Sequence, residues 1–114
     1  MKNNQLYPEA TMEIAEKRAA LAPEISEAFR NFSKLVFKEG ALPEKTKQLI
    51  AVAVAHVTQC PYCIHGHTAQ AMRKGASKQE IMEAIWVAVE MRAGGSFAHS
   101  ALAIDEMESK ERAI

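Results

Sequence analysis

The chain is short of charge imbalance, of cysteine and of long apolar runs, and each shortage excludes something. Fourteen basic side chains meet fourteen acidic ones for a net charge of +0, so the basic footprint that holds a nucleic acid is missing. The longest unbroken apolar run, Leu49 to Ala55, falls far below the roughly 20 residues that cross a bilayer. The opening stretch from Met1 to Pro8 has no apolar core of the secretory kind. Export and membrane insertion are both disfavoured, and the cytoplasm is the expected compartment. Only two cysteines occur, Cys60 and Cys63. A single C-x-x-C without a leader argues against a secreted disulfide scaffold and for redox chemistry or metal binding. Aspartate is almost absent, with Asp105 alone against thirteen glutamates, while alanine occurs twenty times. That bias favours helix over strand, because Asp competes for the backbone and Ala does not.

A length of 114 residues, 48% hydrophobic and 25% charged, suits one folded soluble domain, residues 1–114. Pro8, Pro23, Pro43 and Pro61 each open a stretch of helical pattern, as proline can where the first N–H has no partner. Gly40, Gly75 and Gly94-Gly95 follow periodic segments and read as stops. Ser77-Lys-Gln-Glu80 fits the capping box. The pattern predicts six helices, over about 8–21, 23–38, 43–59, 61–74, 77–93 and 96–108, with Ser109 to Ile114 frayed. The fold class is an all-α helical bundle.

In the second helix Ile25, Phe29, Phe32, Val36 and Phe37 mark one stripe expected to be buried, as Ile81, Ile85, Trp86, Val89 and Met91 do in the fifth. The third is apolar around nearly its whole circumference, from Leu49 to Val57. A chain this small has little interior in which to hide such a helix, so an oligomer is expected.

The chemistry concentrates at Cys60-Pro-Tyr-Cys-Ile-His-Gly-His67. Pro61 at the first helical position makes Cys60 the N-cap and Cys63 the third helical residue, where unpartnered N–H groups and the helix dipole favour negative charge. Both thiols are expected to ionise more readily than a free cysteine. Helix-end electrostatics does not choose between them. Spacings of three and four put Cys60, Cys63 and His67 on one face, where a disulfide is within reach and the imidazole can take a thiol proton. His65 falls on another face. His56, one turn before Cys60, can serve the site or bond a backbone carbonyl.

C-P-Y-C followed by His67, after a buried alanine-rich helix, resembles the alkylhydroperoxidase D (AhpD-like) core of the carboxymuconolactone decarboxylase family, whose signature is Glu, eleven residues, then C-x-x-C-x-x-x-H. The resemblance spans about Leu42 to Met107, including Leu-Pro-Glu-Lys-Thr-Lys and Arg92-Ala-Gly-Gly-Ser-Phe-Ala-His99. It implies an all-α fold assembled as trimers or hexamers. It also implies a cysteine-dependent peroxidase in which Cys63 attacks the hydroperoxide, Cys60 resolves the sulfenic acid and His67 relays the proton. A lipoyl-bearing or thioredoxin-like dithiol protein is the implied reductant, and no cofactor is needed because the thiols carry the electrons.

One position departs from that signature. Twelve residues before Cys60, where the family pattern has glutamate, stands Gln48, which can hold a water but cannot exchange a proton with it. Tyr62 stands where some members carry histidine. Glu44, Glu90 and His99 are the substitutes to consider for the relay. Other readings are a zinc site of Cys60, Cys63, His67 and either His56 or His99, a non-catalytic member of the fold, and a decarboxylase-branch enzyme.

Overall fold

A computed structural model describes residues 6–113, leaving Met1 to Gln5 and Ile114 outside the described residues. It contains five α-helices, α1 (Met12–Leu21), α2 (Pro23–Phe37), α3 (Glu44–Thr58), α4 (Pro61–Arg73) and α5 (Lys78–Ala113), and no strand among the described residues. The chain forms two compact units, one ending at Glu44 and one beginning at Lys45.

In the first unit α1 packs with α2. Pro8 does not open α1, contrary to the sequence pattern; Thr11 does, its hydroxyl accepting from the Ile14 N–H at 3.2 Å. A hydroxyl that satisfies an orphan N–H outcompetes a proline that satisfies none. The stripe expected to be buried on α2 is open in the single chain. Ile25 is 74% exposed, Phe29 68% and Phe32 62%.

The second unit holds the core. Val52 of α3, Ala71 of α4, Ala76 of the turn after α4 and Ile81 of α5 pack together, with Leu49 and Ile85 half-buried against them. Val52 is fully buried, a burial that contributes about 1.5–3 kcal/mol. The apolar circumference of α3 is therefore used on one side only: Val52 and Ala55 are inside, while Ile50 and Val54 remain about half exposed. Likewise on α5, Ile81 is buried but Trp86, Val89 and Met91 are exposed. No helix of the described residues is long and apolar enough to cross a membrane.

Two of the expected stops are corrected. Gly94 and Gly95 do not end a helix: α5 runs through them for 36 residues, about 54 Å at 1.5 Å per residue, so the fifth and sixth predicted helices are one. Two glycines cost about 1 kcal/mol each, and without a proline or a cap the flanking helix formers carry the turn through them. Gly40 lies beyond an extended C-cap at Lys38. Residues 109–113, expected to fray, are helical.

Gly75 does stop α4. Its φ of +96° lets the Ala76 N–H reach the Ala71 carbonyl at 2.9 Å and its own N–H reach Met72 at 3.0 Å, the paired bonds of a Schellman turn. The turn folds Ala76 onto Ala71, two core residues. At the start of α5, the Glu80 N–H donates to Ser77 Oγ at 3.0 Å and the Ser77 N–H to Glu80 Oε1 at 2.9 Å, the capping box read from the sequence. Glu80 Oε2 also takes Lys45 Nζ at 3.0 Å, tying α5 to α3.

Candidate functional site

The site is built at the junction of α3 and α4. Only Gln59 and Cys60 separate the two helices. Gln59 takes the left-handed conformation at φ +58°, and the Cys60 N–H turns back to the Ala55 carbonyl at 3.2 Å. The same residue then starts the next helix. With Pro61 at the first position, Cys60 is the N-cap of α4, its carbonyl accepting from Ile64 at 2.9 Å and its sulfur from the Cys63 N–H at 3.2 Å. One residue thus closes α3 and opens α4. Arg92 of α5 adds a fixed point, its Nη1 donating to the Val57 carbonyl in the last turn of α3 at 2.6 Å.

Both cysteines are free thiols and half-buried. Their surroundings shift them in opposite directions. Hydrogen bonds from the Cys63 side chain and from the Cys63 and Tyr62 N–H groups hold the Cys60 thiol below its ordinary value, against a burial effect that opposes them. Donating its proton to Cys60, Cys63 is pushed up, with burial and repulsion from a charged Cys60 adding to the rise. The expectation that both thiols ionise readily therefore holds for Cys60 and is corrected for Cys63: one helix start stabilises one thiolate, and the second thiol serves as its donor.

His67 sits one turn beyond Cys63. Its Nδ1 donates to Gln48 Oε1 at 2.8 Å, and Gln48 is buried at 6% exposure. With Nδ1 donating, the basic ring nitrogen is Nε2. Gln48 of α3 thus faces His67 of α4 and orients the imidazole. What it does not supply is a negative charge to stabilise an imidazolium.

The remaining residues are placed apart from this pair of contacts. His56 Nδ1 bonds the Val52 carbonyl at 2.7 Å, the backbone-bonded arrangement. Glu90 and His99 are exposed on α5, Glu90 with its Oε2 3.4 Å from where a Cβ on Gly94 would stand. Glu44 lies half-buried at the start of α3, its N–H on Glu39 Oε1 at 3.1 Å. His65 is exposed, as its register requires. Among the described residues no three His, Cys, Asp or Glu side chains are grouped to hold a metal ion. Sequence reasoning missed Arg92 as an anchor and Gln59 as a left-handed hinge. A helix end and a proline-marked helix start only two residues apart were the signal for Gln59; Arg92 acts across 35 residues and left none.

An all-α scaffold carrying C-x-x-C at a helix start, with a histidine one turn on held from the preceding helix, defines a class of thiol-bearing helical proteins. The chain belongs to the carboxymuconolactone decarboxylase family, which it matches over residues 23–106. It is 57% identical, over 89% of its own length and 93% of the relative's, to an uncharacterised protein of the cox locus of Paracoccus denitrificans. Among solved structures it is similar to a carboxymuconolactone decarboxylase family protein of Legionella pneumophila, with TM-score 0.66 and 35% identity over 82% of this chain and 84% of that one. A Thermotoga maritima family protein, described with a suggested involvement in antioxidative response, matches with TM-score 0.58 and 28% identity over 80% and 97%.

Proposed function

We propose that the protein is a cysteine-dependent oxidoreductase of the alkylhydroperoxidase type, cycling Cys60 and Cys63 between dithiol and disulfide. The observation that carries this reading is the Cys63 N–H on the Cys60 sulfur at 3.2 Å, which sets that sulfur against the residue bearing the second thiol. One thiolate attacks the distal oxygen of a hydroperoxide, giving a sulfenic acid and releasing the alcohol, or water from hydrogen peroxide. The second thiol then displaces water to form the disulfide. An external dithiol, lipoyl-bearing or thioredoxin-like, returns two electrons and two protons. The Thermotoga relative's suggested antioxidative involvement supports the same class of chemistry. His67, oriented by Gln48, moves the proton.

The exposed faces of α2, α3 and α5 support a homo-oligomer, a trimer or hexamer, as the working form: Phe29, Phe32, Val54 and Trp86 are each more than half exposed in one chain. Steady-state consumption of an organic hydroperoxide with a dithiol reductant tests the activity. Turnover is expected to vanish in Cys63→Ser, and full turnover in that variant contradicts the reading. Gln48 favours an attenuated enzyme, because a buried amide cannot exchange a proton and acid–base catalysis contributes about 10²–10⁴-fold. Gln48→Glu is expected to raise the rate about tenfold or more; an unchanged rate in the folded variant removes that explanation.

A further inference from the structure

We infer that in this chain Cys60, not Cys63, is the sulfur that reacts first with an electrophile, and that Cys63 is the resolving thiol. The inference rests on the dithiol reading above and reverses the order the family resemblance implies. Three observations lead to it. First, Cys60 is the N-cap of a 13-residue helix, and a peptide N–H from the first turn is directed onto its sulfur, so a negative charge there is held by the backbone. Second, in agreement with that contact, hydrogen bonding from Cys63 leaves the Cys60 thiol below its ordinary value and Cys63 above it. Third, activating Cys63 instead would need a strong base at His67, and the group behind His67 is the neutral amide of Gln48 at 2.8 Å. A carboxylate there would stabilise the imidazolium formed by taking the Cys63 proton; an amide does not. The departure at position 48 and the geometry at position 60 act in the same direction.

The step balances with a hydroperoxide as oxidant. The Cys60 thiolate bonds to the distal oxygen as the O–O bond breaks, and the alkoxide leaves as the alcohol after protonation. The Cys63 sulfur then attacks the Cys60 sulfenic acid, losing its proton and expelling water, and the disulfide closes.

The test is limited alkylation of the fully reduced native protein with substoichiometric iodoacetamide at neutral pH, followed by fragment mass spectrometry across residues 48–73. Label on Cys60 is expected to exceed that on Cys63 severalfold, since the thiolate is the reacting species and the lower basicity of the favoured thiolate returns only part of the gain. Equal labelling, or an excess on Cys63, overturns the inference. A second arm traps sulfenic acid with dimedone after tert-butyl hydroperoxide: Cys63→Ser is expected to trap it on Cys60 several times faster than Cys60→Ser traps it on Cys63, and the opposite ranking overturns the inference. Gln48→Glu is expected to move label toward Cys63, and an unmoved ratio contradicts the part given to Gln48. If hydroperoxide removes no thiols from the native protein, the peroxidase reading fails, while the alkylation ratio still decides which sulfur is the nucleophile.

Discussion

The two ends of α4 meet their neighbours through the same kind of turn, with different residues at the left-handed position. Between α4 and α5 it is Gly75, at φ +96°, and the bond from Ala76 to Ala71 joins two core residues. Between α3 and α4 it is Gln59, at φ +58°, and the bond from Cys60 to Ala55 delivers a half-buried cysteine to a helix start. An L-residue in that region costs about 1–2 kcal/mol. The first turn is built without strain to close a core. The second accepts strain and yields a residue that ends one helix and caps the next, which is what sets the Cys60 sulfur before the Cys63 N–H.

Breaking the unstrained turn should have the largest effect. Gly75→Val forces a branched residue to positive φ and is expected to lower stability by about 2 kcal/mol or more, measured as a shift of the urea midpoint at unchanged slope. Arg92→Ala removes the guanidinium that holds Val57 in the strained turn. Its loss is expected to cost about 1 kcal/mol, again by urea unfolding, with the alkylation rate of Cys60 falling in parallel. Gln59→Gly relieves the strain at the turn between α3 and α4 and should raise stability by about 0.5 kcal/mol, the relief being partly offset by the larger unfolded-state entropy of glycine, while the Cys60 rate stays unchanged.

The smallest effect belongs to the capping box. The Ser77 N–H, with Lys45 beside it, holds the Glu80 carboxyl below the usual carboxylate range. A depressed folded value means that the contribution is present above the unfolded pKa and is lost as pH falls through the folded one. Glu80→Gln should therefore differ from the parent protein at neutral pH and converge with it below about pH 4, read as Tm across pH 3–7. Failure to converge places the effect outside the carboxylate's charge.

What could be read from the chain in advance was whatever acts within a single helical turn. Pro61 placed Cys60 at the cap and Cys63 in the first turn, and Ser77 with Glu80 wrote its own box; each is a contact between residues three apart. Gln48 was also found, but only as a missing carboxylate; its hydrogen bond to His67 spans 19 residues and needed the fold. Misreadings came where local rules compete or where burial depends on what covers a surface. Gly94-Gly95 looked like a stop because glycine is permissive, yet permissiveness without a competing cap does not end a helix. The Ile25, Phe29 and Phe32 stripe has the spacing of a buried face, and spacing tells which side of a helix is apolar without saying that the same chain covers it. Nor could a helix dipole separate two thiols in one turn; the Cys63 N–H directed onto the Cys60 sulfur distinguishes them.

Cys60 and Cys63 are proposed to form one reversible redox pair, and counting thiols puts that pairing to the test. Native reduced protein treated with one equivalent of hydroperoxide is predicted to lose two titratable thiols per chain and to regain both with dithiothreitol. Two thiols retained after hydroperoxide, or a loss that dithiothreitol does not restore, would contradict it.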